Sequence, residues 1–258
     1  MSTDLKNSFV LWKMGYLKDQ NGILNRYYNE QKNWISHLSN TKSYILEIVN
    51  KTEPNNIAFL GSGWLLDIPF EEIFSKIKSV TLFDIIHPHK IKNIFKRNSN
   101  VKFENIDLTG GLVKQVYNYL YSKKIRNNSF IKKLQVHNSF DLSNFDLVIS
   151  VNILSQLDII LKDKILSKIK LKEEDIEYLS TLIQSYHIKS LPKGKSCLIT
   201  DYEELLIDKN GNKVKKNNLL YINLPEGENC KTWQWVFDTK QNYYKKYNVT
   251  FNVIALTF

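Results

Sequence analysis

Arginine is almost absent. Arg26, Arg97 and Arg126 are the only three in 258 residues, and lysine supplies the rest of the 36 basic side chains and the net charge of +10. Specific recognition of phosphates and base edges leans on bidentate guanidinium forks. The basic balance, with its lysines interleaved among Asn and Ile, is therefore read as a solvated surface rather than a nucleic-acid footprint. Cysteine is equally scarce. Cys197 and Cys230 lie far apart and form no C-x-x-C pair or Cys/His cluster, which argues against a disulfide framework and a structural zinc. No metal is expected. No apolar run reaches the ~18 residues that a bilayer-crossing helix needs, and Met1 to Tyr16 has no signal-like apolar core. A cytoplasmic protein without a membrane partner is the expectation. No G-x-x-x-x-G-K-[ST] occurs, which rules out a P-loop.

What is present supports a sizeable core, since 43% of the residues are apolar and 12% aromatic. Over residues 1–50 Trp12, Tyr16, Leu24, Tyr27, Tyr28, Trp34, Leu38, Ile45, Ile48 and Val49 recur at helical spacing, with a break expected at Asn21-Gly22. Two roles stay open for the aromatics of this segment: a helix–helix core, or a lid over a ligand. Residues 1–52 are set apart as an N-terminal helical segment, and 53–258 as the main domain.

From Glu53 onward short apolar runs alternate with helical patterns. Ile57–Leu60, Val80–Asp84, Val101–Asp107, Phe145–Val151 and Ser196–Thr200 read as buried parallel strands. Helices are expected from near Pro69, over 91–95, 112–135 and 156–191. Past Asp201 strands dominate: a hairpin turn at Lys209-Asn210-Gly211-Asn212, then Leu219–Leu224, Thr232–Phe237 and Val249–Phe258. In the last, Val249, Phe251, Val253 and Ala255 should share one face. Trp233 and Trp235 share a face of theirs, as core or as an acceptor pocket. The order implies a doubly wound α/β sheet, mostly parallel, with antiparallel C-terminal strands and added N-terminal helices.

The residues that point to chemistry stand at strand ends. Gly61-Ser62-Gly63 follows the first strand directly, and glycines there let the backbone turn tightly and approach a ligand. Asp84 and Asp107 follow at equal intervals of 23 residues, each ending a strand. A carboxylate after the second strand can accept from ribose hydroxyls, and one after the third can reach an adenine amino group. All three positions fall on the carboxyl edge of the sheet, where open α/β folds bind ligands. An adenosine-containing ligand is implied. The dinucleotide fingerprint needs a third glycine where Leu66 stands, which counts against NAD.

The segments Ala58–Gly63, Val80–Asp84, Asn105–Thr109 and Phe145–Leu157 together resemble the class I S-adenosylmethionine-dependent methyltransferases, over about residues 55–258. The resemblance implies a Rossmann-like, seven-stranded sheet with the last strand inserted antiparallel, and S-adenosylmethionine as cofactor. By that resemblance Gly61, Ser62 and Gly63 flank the methionine part, Asp84 holds the ribose, and Asp107 with Leu108 meets the adenine. Ser150 to Gln156, with Asn152, lines the cofactor and acceptor side. Phe59 stands where many members carry an acid, and Leu65 where many carry a third glycine. Asp67 either points at the cofactor ammonium or caps the helix near Pro69. The Asp/Asn-Pro-Pro-Tyr/Phe motif of amino-group DNA methyltransferases is missing at Asn152-Ile153-Leu154.

For a proton acceptor the candidates are Asp201, after the fifth strand, and His87, just past Asp84, with His89 and His187 behind them. His37 and His137 are expected on the surface. The implied function is a methyltransferase acting on a small-molecule acceptor. The alternatives are an RNA or protein methyltransferase using the lysine-rich surface, or a non-catalytic scaffold, for which the loss of the acid at Phe59 argues. The sequence leaves the oligomeric state open.

Overall fold

The computed structural model describes residues 3–122, 127–138 and 140–258. Helices α1 (Thr3–Met14) and α2 (Tyr16–Thr52) precede β1 (Asn56–Leu60), α3 (Phe70–Phe74), β2 (Ser79–Asp84), α4 (His89–Ile94) and β3 (Val101–Asn105). Then come α5 (Leu112–Leu120), a 3-10 turn over Asn128–Lys133, β4 (Leu147–Val151), α6 (Ile159–Leu166) and α7 (Glu173–Ser190). The chain ends in β5 (Ser196–Ile207), β6 (Lys213–Asn218), β7 (Glu228–Asp238) and β8 (Asn248–Thr257).

The eight strands form one sheet in the order β3-β2-β1-β4-β5-β8-β7, with β6 pairing β5 off that path. Strands β1 to β5 pair in parallel, and every pairing of β6, β7 and β8 is antiparallel. The last strand is thus inserted antiparallel between β5 and β7, as the resemblance implies, and β6 is an addition. The strand order reverses between β1 and β4, which opens a crevice at their carboxyl ends. β1 from Ile57 to Leu60 and the whole of β4 are buried because helices cover both faces. On one face Tyr44, Ile45 and Ile48 of α2 and Ile73 of α3 pack on Phe59, Ile149, Ile199 and Val253. On the other, α5, α6 and α7 supply Val116, Leu161 and Ile183 against Ala58, Leu60 and Val148.

The N-terminal helices depart from expectation at their break. Asn21-Gly22 is continuous helix, and the corner falls at Gly15, whose φ of 104° suits only a residue without Cβ. That corner carries the chain from one face of the sheet to the other: Met14 belongs to the α5–α7 core, while the C-terminal half of α2 belongs to the opposite one. Between them the first turns of α2 cross the carboxyl edge of the sheet. Gln20 Nε2 donates to Ile86 O at 2.6 Å and Trp64 Nε1 donates to Gln20 O at 2.8 Å. Farther along, Trp34 Nε1 donates to Phe237 O at 2.9 Å, tying α2 to β7.

Other boundaries move for local reasons. The expected 112–135 helix ends at Leu120, with residues 123–126 outside the described ones. The strand expected at Leu219–Leu224 is instead Lys213–Asn218, directly after the Asp208–Asn212 turn. Backbone pairing with β5, not an apolar pattern, makes it a strand, and its lysines suit an exposed edge. β5 runs seven residues past Thr200 and carries a bulge at Tyr202 in its pairing with β8. Among the described residues no helix is long and apolar enough to cross a membrane.

Candidate functional site

The crevice at the carboxyl edge holds a cavity of about 350 Å³, within the range of small-molecule sites. Its walls come from the β1–α3 turn, the ends of β2, β3, β4 and β5, the inner face of β7 and β8, and the edge-crossing part of α2. Gly61, Ser62, Gly63, Asp67, Asp84, Asp107, Leu108, Asn152 and Asp201 all line it. Residues scattered over 140 positions of sequence are thus gathered by strand ends alone.

At one end, Asp84 Oδ2 accepts from Gly63 N at 2.8 Å and Oδ1 from Ile85 N at 2.7 Å. Each oxygen keeps a second lone pair. Burial pushes this carboxyl up to about 6, against the pull of those backbone donors. Asp107 Oδ1 is saturated by Thr109 N (2.9 Å) and Thr109 Oγ1 (2.5 Å), while Oδ2 takes Val113 N at 3.1 Å, tying it to the first turn of α5. The Gly111 backbone N–H also acts on this carboxyl. Burial raises its carboxyl as well. Tyr16, from the start of α2, adds a hydroxyl that is buried without a partner, and burial followed by the Asp107 charge raises it.

The glycine turn shows two different needs. A Cβ on Gly61 would lie 2.8 Å from Ile153 Cβ and 3.0 Å from Val151 O, so packing against β4 demands glycine there. A Cβ on Gly63 would meet Asp84 Oδ2 at 3.9 Å and Gly61 O at 4.0 Å, both ordinary contacts. Leu65 stands where the family resemblance places a third glycine, and it keeps the left-handed backbone with φ 58° while burying its side chain. Asp67 does not cap α3: the helix starts at Phe70 with Pro69 before it. Its Oδ2 accepts instead from Asn152 Nδ2 at 2.7 Å.

His37 corrects the sequence expectation. It is buried, lines the cavity and stacks on Trp235 with ring centres 4.0 Å apart. Burial lowers its ring to about 3, so it is neutral. Trp233 Nε1 donates to Nδ1 at 3.1 Å, and Asn152 Nδ2 lies 3.2 Å from Nε2. The charge-assisted pull of Asp67 holds the amide in that orientation. The signal for His37 lies in its helical spacing from Trp34, Thr41, Tyr44 and Ile48 on the buried stripe of α2. Tyr16 and Trp34 of the same segment line the cavity, whereas Trp12 and Tyr28 are exposed.

His87 is also corrected as a base candidate. It lies outside the cavity wall, packed against Phe103 with Nδ1 3.4 Å from Ser62 Oγ and Nε2 3.2 Å from Glu104 O. Burial lowers it to about 4. His187 is a core residue bonded to Ser150 Oγ at 2.8 Å, and His89 and His137 are exposed.

Asp201 keeps its place at the opposite end of the cavity. It accepts from Ser155 Oγ at 2.8 Å, and burial pushes it up to about 6. Glu204, missed in the sequence, lines the same end, with Oε2 accepting from Asn217 Nδ2 of β6 at 2.7 Å. The bulge explains the miss. Residues 201 and 204 of a regular strand face opposite ways, but one extra residue at Tyr202 resets the alternation. Cys197, Ile199, Asp201, Glu204 and Leu206 then share the face packed by α2. Aromatic rings complete this end: Trp34, Trp235, Phe237, Phe251 and Tyr243.

No protein-family model matches this sequence, and comparison with the curated proteins finds no match. Solved structures similar to the chain include the N-methyltransferase NodS from Bradyrhizobium japonicum WM9 in complex with S-adenosyl-L-homocysteine, at 12% identity and TM-score 0.37, over 88% of this chain and 86% of that one. The Burkholderia thailandensis 1,6-didemethyltoxoflavin-N1-methyltransferase, with bound 1,6-didemethyltoxoflavin and S-adenosylhomocysteine, is 9% identical with TM-score 0.38, over 100% and 92%. The methyltransferase domain of bacterial CtHen1-CN is 9% identical with TM-score 0.33, over 84% and 99%. At such identities and scores, what the site does is read from its own residues. The sheet itself is Rossmann-like, five parallel strands with the last strand inserted antiparallel.

Proposed function

We propose that this chain is an S-adenosylmethionine-dependent methyltransferase acting on a small-molecule acceptor. The observation that carries the reading is one cavity with two chemically different ends. Adenosine-type acceptors, Asp84 and Asp107, stand at the end of β2 and just past β3, and a buried carboxylate, Asp201, stands within β5 in an aromatic wall.

The residues fit the cofactor. Among the described residues the cavity is lined by seven carboxylates and one guanidinium, Arg26, in a chain whose net charge is +10. That field suits a ligand with a sulfonium and an ammonium. Asp84 faces the ribose hydroxyls, Asp107 stands where the adenine amino group would lie, and Leu108 offers an apolar face. Asp67 sits beside the turn as partner for the ammonium, and the open space at Gly63 lets the backbone approach. Bound there, S-adenosylmethionine would supply a methyl group on a positively charged sulfur. The protein's share is to align the acceptor, exclude water and hold its proton, and Asp201 is the carboxylate placed for the last. The crossing of α2 roofs this end, which favours a small acceptor over a macromolecule. Cys197 and Cys230 are both free thiols, in keeping with a reducing cytoplasm.

Calorimetry with S-adenosylmethionine and S-adenosylhomocysteine, with NAD and ATP as controls, tests the reading. Micromolar binding of the first two alone is expected. Binding of neither would return the chain to the scaffold reading.

A further inference from the structure

Asp201 and Glu204 are each only 3% exposed, on the same cavity wall. Neither carboxylate has a basic partner within 4 Å among the described residues. Their hydrogen-bond donors are neutral: Ser155 for Asp201, Asn217 and Tyr244 for Glu204. Two buried carboxylates without a cation are costly, and the charge of Glu204 raises the cost of ionising Asp201. Among the described residues the one cation in the cavity wall, Arg26, pairs with neither carboxylate, and its Nε is buried without a partner. Arg26 faces Asp19 at 3.9 Å and lies over the rings of Phe237 and Tyr243, 5.5 and 5.8 Å from their centres. Those contacts show that the π faces of this wall accept a positive charge. A separate observation comes from the end of β4. Asn152, 8% exposed and part of the same wall, gives its Nδ2 to Asp67 and leaves Oδ1 buried without a partner. It lacks an N–H donor.

We propose that the acceptor is an amine that enters as a cation, with its nitrogen held by Asp201 and Glu204 and its carbon skeleton against Trp235 and Phe237. This rests on the methyltransferase reading for the transfer, but the amine site itself does not. The balance is simple. The bound R–NH3+ passes one proton to Asp201, and its freed lone pair forms the N–C bond. The C–S bond breaks with its electron pair left on sulfur. The product is R–NH2+–CH3, and Asp201 returns its proton to water. An acceptor presenting a carboxylate would meet two like charges instead.

The test is calorimetry on the full chain at pH 7.5, with and without S-adenosylhomocysteine. The probes are phenethylamine, 2-phenylethanol and 3-phenylpropionate, which share a ring and differ in charge. The amine is expected to bind at least tenfold more tightly than the alcohol, and the acid not at all. Asp201→Asn and Glu204→Gln, near-isosteric changes whose folding circular dichroism checks, should each cost at least tenfold in amine affinity and leave the alcohol unaffected. Equal binding of amine and alcohol, preference for the acid, or no amine binding at millimolar concentration overturns the proposal. Amine preference without S-adenosylhomocysteine binding keeps the amine site and removes the cofactor reading.

Discussion

Asp201 and Glu204 stand three positions apart on β5 yet face one cavity, because the bulge at Tyr202 places an extra residue between them. Their shared burial has a consequence for stability. Burial, joined by the charge of Glu204, lifts the Asp201 carboxyl from its ordinary value of 3.8 to about 6. Between those pH values the folded chain holds a proton that the unfolded chain has lost, so stability falls as pH rises through the window and is flat above it. Asp201→Asn removes the term. It should stabilise the empty protein at pH 7.5 by on the order of 1–3 kcal/mol, a pK shift of one to two units, and by less at pH 4.5. Urea melts of both proteins at the two pH values check this. A gain that is the same at both would remove the assignment.

Asp84 makes a prediction of the opposite kind, about ligand rather than fold. Its carboxylate already holds the turn through Gly63 N and Ile85 N, and its remaining lone pairs face the cavity. Asp84→Ala should weaken S-adenosylhomocysteine by about 1–3 kcal/mol, the range for hydrogen bonds to a charged group. Unchanged affinity in calorimetry would sink the ribose role.

Leu65 sets backbone strain against burial. Its left-handed φ costs about 1–2 kcal/mol for a residue with a Cβ, while its side chain is 3% exposed within the α2–α3 core. Leu65→Gly relieves the strain but removes a whole buried side chain, a loss of about 2–5 kcal/mol for truncation to Ala. Burial wins: the variant should be less stable by about 1–4 kcal/mol in chemical denaturation. A rise in stability would show that the turn, not the core, dictates this position.

The parts of the fold that the sequence discloses are those fixed by local pattern. β1, β2 and β4 are rich in apolar residues, and Gly61, Asp84 and Asp107 follow or end β1, β2 and β3, so one sheet edge was enough to group them. The parts it hides depend on distant pairing. Strand β6 has no apolar signature and exists through its hydrogen bonds to β5. Glu204 reads as one more exposed acid until the bulge turns it inward. His37, with Ser36, Ser39 and Asn40 nearby in sequence, reads as polar surface until α2 is laid on β7 and Trp235 covers it. The edge-crossing of α2 follows from a corner at Gly15 that local propensity places at Asn21-Gly22 instead.

The two glycines of the β1–α3 turn should separate fold from binding. Both have left-handed backbone, with φ 81° at Gly61 and 42° at Gly63, so alanine costs about 1–2 kcal/mol of strain at either. At Gly61 the added methyl also collides with Ile153 and the Val151 carbonyl, and overpacking adds about 1–3 kcal/mol. Gly61→Ala should therefore lower the melting midpoint the more. At Gly63 the methyl meets Asp84 Oδ2 and Gly61 O only at ordinary contact distance, so it stands in the space the cofactor is proposed to fill. Gly63→Ala should keep most of the stability and lose at least tenfold in S-adenosylhomocysteine affinity. Thermal melts and calorimetry on the pair read the two effects independently. If Gly63→Ala bound as tightly as the parent, close backbone approach at that glycine would be excluded, and the cofactor would have to lie farther toward Asp107.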